Sequence, residues 1–303
     1  MADGEHAHDQ QRSWTVAFQG EPGAFSEEAL NLLLAGRATG LPCRDFMDVG
    51  RAVESGAAHL GLLPVENSLA GSVLGSYDVL LRSELEVIGE VVLPIRHMLM
   101  GLPGATLEGL EEIRSHPVAL AQCVRFLRSH PGIRAVAAHD TAGAAREVAD
   151  GGRPRVAAIA PEKAAARYGL TILARDLQDR DDNQTRFFLV APPAMDGRPT
   201  RPALPEGPSS VALVVETGNR PGSLVDALLP FARRGINLSK LESRPGEVPW
   251  TYRFFLELSA DLADPGVQEA VAEVEARART LRILGCFPGA SRPRGAELEE
   301  PGA

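Results

Sequence analysis

Two hydrophobic periods alternate along the chain. Short apolar runs at Thr15–Phe18, His59–Leu63, Arg134–Ala138 and Val156–Ile159 have strand length. Each leads through polar residues, a turn at Gln19–Gly23 or a loop at Pro64–Ser68, into helical spacing over Ser26–Leu34, Val73–Leu81, Thr141–Asp150 or Glu162–Tyr168. Strands alternating with helices predict an α/β fold with mostly parallel sheets. The pattern breaks between Ala191 and Ser210, where Pro192, Pro193, Pro199, Pro202, Pro205 and Pro208 mark a linker. Beyond it come strand Val211–Glu216, helix Gly222–Arg234, strands Asn237–Ser243 and Thr251–Leu258, helix Pro265–Ala278 and strand Leu281–Phe287. That βαββαβ order is ferredoxin-like. Residues 1–13 and 289–303 are polar or rich in Pro, Gly and Glu, and are expected to be disordered.

Composition narrows the class. A chain of 303 residues is long for one core and fits two domains. A net charge of -9 argues against a nucleic-acid partner. Cys43, Cys123 and Cys286 are far apart, which predicts reduced thiols and a cytoplasmic setting. The first thirteen residues lack the apolar run of a secretory signal, and no stretch approaches the roughly 20 apolar residues of a membrane span. The sequence has no GxGxxG after a strand, no GxxxxGK[ST] and no HExxH, so no cofactor or metal is expected. His6 and His8 fit a solvated tail, and His116 and His130, each before a proline, fit helix starts or turns.

Three polar segments follow or enter strands, where open α/β sheets bind ligands. Gly20-Glu21-Pro22-Gly23-Ala24-Phe25-Ser26 offers close backbone approach and a helix start to an anion, although an ordinary turn with Ser26 as N-cap explains it as well. Pro64-Val65-Glu66-Asn67-Ser68-Leu69-Ala70-Gly71-Ser72-Val73 gathers donors and an acceptor after a buried strand. In Asn183-Gln184-Thr185-Arg186-Phe187-Phe188, strand alternation sends Thr185 and Phe187 to one face and Arg186 and Phe188 to the other. A plain strand with one exposed Arg is the alternative.

In this order and spacing the three segments resemble the prephenate dehydratase family, with its GxxG-[TA]-[FY]-S start, P-x-ENS-x-x-GSV loop and NxTRF segment. The likeness extends through Ser115-His116-Pro117, Ala121-Gln122-Cys123 and Tyr168-Gly169-Leu170, covering about residues 14–288. Ala24 stands where the family more often has Thr, Val118 where it has Gln, and Asp140 where it has Ser. The resemblance implies a two-lobed, periplasmic-binding-protein-like (type II) catalytic domain over 14–191. One lobe would comprise 14–92 with 172–191 and the other 93–171, followed by a linker over 192–209. It implies a lyase that converts prephenate to phenylpyruvate by loss of carbon dioxide and the ring hydroxyl, in phenylalanine biosynthesis. The short leader, residues 1–13, leaves no room for a chorismate mutase segment, so a monofunctional enzyme is expected.

The site implied by the resemblance has Thr185 donating to the leaving hydroxyl and Glu66 as ultimate proton source. Substrate contacts would come from Ala24, Phe25, Ser26, Asn67, Ser68, Gln122, Thr141, Asn183, Arg186 and Phe187. Arg186 would hold a carboxylate, or support the loop if alternation turns it away from Thr185. Arogenate dehydratase and a non-catalytic amino-acid-binding protein are the rival readings.

Residues 210–288 resemble ACT domains, through Asn219-Arg220-Pro221-Gly222-Ser223-Leu224 and the ESRP stretch Glu242-Ser243-Arg244-Pro245. This implies an L-phenylalanine effector site at Pro221, Gly222, Ser223, Leu224, Asn237, Glu242, Ser243, Arg244 and Pro245, and a homodimer or homotetramer.

Overall fold

The computed structural model describes residues 13–194 and 201–290. Of the ends expected to be disordered, 1–13 and 289–303, residues 1–12 and 291–303 lie outside the described residues, as do linker residues 195–200. The described residues divide into two compact units, 13–86 with 93–194 and 201–203, and 87–92 with 204–290.

The first unit contains β1 (Trp14–Gln19), α1 (Phe25–Leu33), β2 (Ala38–Cys43), α2 (Phe46–Glu54), β3 (Leu60–Asn67), β4 (Gly71–Ser72) and α3 (Leu74–Arg82). After β5 (Glu86–Pro94), whose middle residues group with the second unit, come β6 (Met98–Gly101), β7 (Glu112–Ser115), α4 (Pro117–Ala121), α5 (Val124–Ser129) and β8 (Arg134–Ala137). The unit closes with α6 (Thr141–Gly151), β9 (Val156–Ala160), α7 (Glu162–Tyr168), β10 (Thr171–Ala174) and β11 (Gln184–Ala191).

These strands make two sheets. In the first, β2-β1-β3 run parallel and β11 returns antiparallel beside β3. In the second, ordered β10-β6-β9-β7-β8, β7 is parallel to β8 and β9, whereas β6 runs antiparallel to β9 and β10. Both sheets are therefore mixed where mostly parallel ones were expected. The antiparallel partners arise where the chain crosses from one sheet to the other and back.

Burial follows the sequence pattern. Val16, Ala17 and Phe18 of β1 and Leu62 and Leu63 of β3 are fully buried. Helix α1 buries Ser26, Ala29, Leu30 and Leu33, the i, i+3, i+4, i+7 stripe of an amphipathic helix. Truncating Leu62 to Ala would cost about 2–5 kcal/mol.

One expected loop is not a loop. Pro64–Asn67 continue β3, because Glu66 and Asn67 pair with Arg186 and Thr185 on one side and with Ser72 and Gly71 of β4 on the other. The polar cluster thus sits on regular backbone.

The second unit holds β12 (Ser209–Glu216), α8 (Ser223–Arg233), β13 (Leu238–Pro245), β14 (Tyr252–Leu258), α9 (Pro265–Glu275) and β15 (Thr280–Pro288). Its antiparallel sheet, ordered β13-β14-β12-β15, has the ferredoxin-like arrangement, with Val211, Leu213, Phe231, Leu256, Val267 and Val274 in one core.

Candidate active site

The site is built where β1, β3 and β11 of the first sheet meet segments belonging to the second. A cavity of about 460 Å³ is lined by Gly20, Ala24, Phe25 and Ser26 after β1, by Pro64, Asn67, Thr185 and Phe187 of the paired strands, and by His97, His116, Gln122, Asp140 and Thr141. This is the size of an ordinary small-molecule site.

Gly23 adopts φ +91°, and a Cβ there would lie 3.1 Å from the Ala164 Cα, so glycine lets the first turn close onto α7. The N-cap of α1 is Ala24, two residues earlier than the Ser26 cap weighed from sequence. The first-turn Glu27 carboxylate accepts from Gly23 N at 2.6 Å. Ser26 is left, buried, on the helix face that borders the cavity. At α6 the Asp140 carboxylate accepts from Gly143 N at 2.6 Å, so this acid is used as a helix cap beside the cleft. His116 caps α4, its Nδ1 accepting from Val118 N at 3.2 Å, and burial holds its pKa below the ordinary value.

The centre is a chain of amides whose polarity can be read outward from the backbone. Leu69 N and Ala70 N both donate to Asn67 Oδ1, at 3.0 and 2.8 Å, so this atom is the oxygen. Asn67 Nδ2 therefore donates, and its two hydrogens serve Asn183 Oδ1 at 2.8 Å, Gln184 O at 3.0 Å and Thr185 Oγ1 at 3.0 Å. One of the two hydrogens is therefore shared between two acceptors. Asn183 Nδ2 in turn donates to Gln122 Oε1 at 2.9 Å, and Gln122 Nε2 returns to Asn67 Oδ1 at 3.3 Å. Because the Thr185 oxygen accepts from Asn67, its own O–H remains to donate, and Thr185 lines the cavity.

The structure brings Ala24, Phe25, Ser26, Asn67, Gln122, Thr141, Thr185 and Phe187 to the cavity wall. Thr185 and Phe187 share that face, as alternation predicts, despite a register shift between Arg186 and Phe187. Asn183 is buried behind the wall and acts on Asn67 and Gln122.

Besides Asn183, three further residues are placed differently from expectation. Arg186 Nη2 and Glu66 Oε2 form an ion pair at 3.1 Å, and neither residue lines the cavity. Arg186 is 5% exposed, with its guanidinium 5.2 Å from the Phe188 ring centroid, so strand alternation carries it to the opposite face. Of the two roles considered for Arg186, this placement fits support of the loop, since alternation turns it away from Thr185, and Glu66 is engaged in the same pair off the cavity wall. Ser68 Oγ donates to Asp182 O at 2.9 Å and accepts from Gln184 N at 3.0 Å, which makes it a clamp on the approach to β11 instead of a substrate contact.

His97 escaped the sequence reading. It is 2% exposed, packs edge-on against Phe25 with ring centroids 5.5 Å apart, and meets Gln122 Oε1 through Nε2 at 2.9 Å. Its only sequence signal is a histidine before the apolar run Met98-Leu99-Met100, which resembles any strand entry. Burial depresses its pKa, partly offset by the Gln122 hydrogen bond.

In the second unit, Gly222 caps α8 at φ +82°. Register pairs both Glu216, at the end of β12, and Arg244, in the ESRP stretch, with Arg253 of β14. The two motifs assigned to effector binding therefore lie at the same end of one sheet.

Residues 16–194 match the prephenate dehydratase family. Arogenate dehydratase/prephenate dehydratase 1, chloroplastic, of Arabidopsis thaliana is 40% identical over 288 residues, covering 90% of this chain and 71% of the relative. A prephenate dehydratase from Arthrobacter aurescens, solved in complex with L-Phe, is 33% identical with a TM-score of 0.81 over 90% of each chain. A solved structure described as GqqA, a novel type of quorum quenching acylase, is 34% identical with a TM-score of 0.81, covering 91% of this chain and 98% of that one. With its colinear motifs, its paired β3 and β11 and these relatives, this chain belongs to the prephenate dehydratase family.

Proposed function

We propose that this chain is a prephenate dehydratase that forms phenylpyruvate and is inhibited by L-phenylalanine. The carrying observation is the Thr185 hydroxyl, whose oxygen accepts from Asn67 Nδ2 and whose proton is thereby left for a ligand in the cavity. In prephenate the electrons of the breaking C–CO₂⁻ bond flow into the ring, which becomes aromatic as the ring hydroxyl departs. The substrate is its own electron sink, so the protein's task is to orient a dianion and to stabilise the departing oxygen. Thr185 donates to that oxygen. A threonine hydroxyl is too weak an acid to transfer its proton outright, so it acts as a hydrogen-bond donor. Phe187, 2% exposed on the cavity wall, packs beside the ring and excludes water. The first turn of α1 offers backbone N–H groups to a substrate carboxylate.

The second unit serves as an ACT regulatory domain, with phenylalanine bound near Gly222 and the ESRP stretch. Support comes from those motifs sharing one sheet end, and from an L-Phe-bound relative of similar length. A homodimer or homotetramer in the cytoplasm completes the reading, in keeping with three free cysteines. Incubating the purified protein separately with prephenate and arogenate tests the assignment. Phenylpyruvate from prephenate is expected; phenylalanine from arogenate alone would make it an arogenate dehydratase, and no product from either would make it a binding protein.

A further inference from the structure

The amide chain has a terminus that the reaction chemistry above does not use. Gln122 Oε1 already accepts from Asn183 Nδ2, and this polarity descends from the backbone N–H groups of Leu69 and Ala70. His97 Nε2 meets the same oxygen at 2.9 Å, so it must carry a proton. The opposite tautomer would set a nitrogen lone pair against an oxygen lone pair. Turning the Gln122 amide to relieve that would set its NH₂ against Asn183 Nδ2 and its oxygen against Asn67 Oδ1, two mismatches in place of one. Protonating both ring nitrogens would bury a cation, because His97 Nδ1 is enclosed without a hydrogen-bond partner.

The ring itself has little freedom. His97 N donates to Gln178 Oε1 at 3.0 Å, and His97 O accepts from Leu177 N at 2.9 Å. Phe25, which lines the cavity, packs edge-on against its ring. Ile95 N donates to Asn183 O at 2.8 Å, so the segment carrying His97 also holds the backbone of the next amide in the chain.

We propose that His97 is a positioning residue for the dehydration: a neutral imidazole protonated on Nε2 that locks the Gln122 carboxamide. Gln122, through Asn183 and Asn67, keeps the Thr185 oxygen an acceptor and its proton directed at the substrate. His97 acts through Gln122 and touches no reacting atom, since its free nitrogen is covered. The role rests on the dehydratase reading, whereas the tautomer is a property of the resting protein.

Two measurements on the full-length protein test it. Nitrogen-15 NMR of histidine-labelled protein, with the His97 signal assigned by its loss in His97→Gln, should show a protonated Nε2 and an unprotonated Nδ1 at neutral pH. The reverse tautomer overturns the proposal whether or not prephenate is turned over. In steady-state kinetics with prephenate, His97→Phe should lower kcat roughly 10- to 100-fold with KM little changed, the scale of a displaced catalytic group. His97→Gln, whose side-chain amide can still donate to Gln122 Oε1, should recover most of that loss. Wild-type kcat in a folded His97→Phe protein, or equal losses in the folded Phe and Gln variants, would overturn it. A wild-type protein that leaves prephenate unchanged refutes the dehydratase reading instead, and the NMR result then decides the tautomer alone.

Discussion

Asn67 Nδ2 donates to Thr185 Oγ1 at 3.0 Å across the β3–β11 pair, which sets the direction of the threonine's own hydrogen bond. The two residues are also register partners, so the contact is built into the sheet. Replacing Asn67 by Asp would keep the acceptor for Leu69 N and Ala70 N but remove the donor. The Thr185 proton would then turn toward the new carboxylate, and kcat should fall about 100-fold or more. Kinetics of Asn67→Asp with prephenate check this; an unchanged kcat would contradict the assigned polarity.

The Glu66–Arg186 pair separates a structural role from a chemical one. Glu66→Gln should leave kcat within about threefold, while stability falls by roughly 1–3 kcal/mol because the charge-assisted hydrogen bond to a buried guanidinium is weakened. Urea unfolding and steady-state kinetics measured together test the split. A collapse of kcat with unchanged stability would restore Glu66 as the proton source.

Much of this arrangement was legible in the sequence. Alternation in Thr185-Arg186-Phe187-Phe188 is a local property of strands, so it foretold which side chains reach the cavity. The βαββαβ order of residues 210–288 followed from hydrophobic runs alone. The partners of Glu66 and Ser68 did not, because each depends on pairing with residues more than a hundred positions away. His97 was missed for the same reason, since its role comes from Gln122 and Phe25 and not from its neighbours in the chain.

Gly222 sits at φ +82° with open space where a Cβ would be, so an alanine there is strained without clashing. Gly222→Ala should cost about 1 kcal/mol locally and shift the turn that begins α8. Inhibition by L-phenylalanine should weaken severalfold while activity without effector stays within twofold. A variant inhibited at the wild-type concentration would remove this turn from the effector site.

Burial, with Asp179 nearby, pushes the Cys123 thiol up to about 12. The fold therefore disfavours its thiolate, and an unfolded thiol ionises near its ordinary value of about 8.5. This group's contribution to stability is complete below that ordinary value and is lost as pH rises toward 12. In a native thiol titration at pH 8, exposed Cys286 should label first and Cys123 only on unfolding. Labelling of Cys123 as fast as Cys286 would contradict the burial argument.

The most direct test of the account is phenylpyruvate formation from prephenate, followed by wild type, Thr185→Ser and Thr185→Val under identical conditions. The account predicts turnover by wild type, retention of much of it by the serine variant, and a loss of about 10²–10³ in kcat for valine, the scale of removing one transition-state donor. A folded valine variant as fast as wild type, or a wild type that forms no phenylpyruvate, would contradict it.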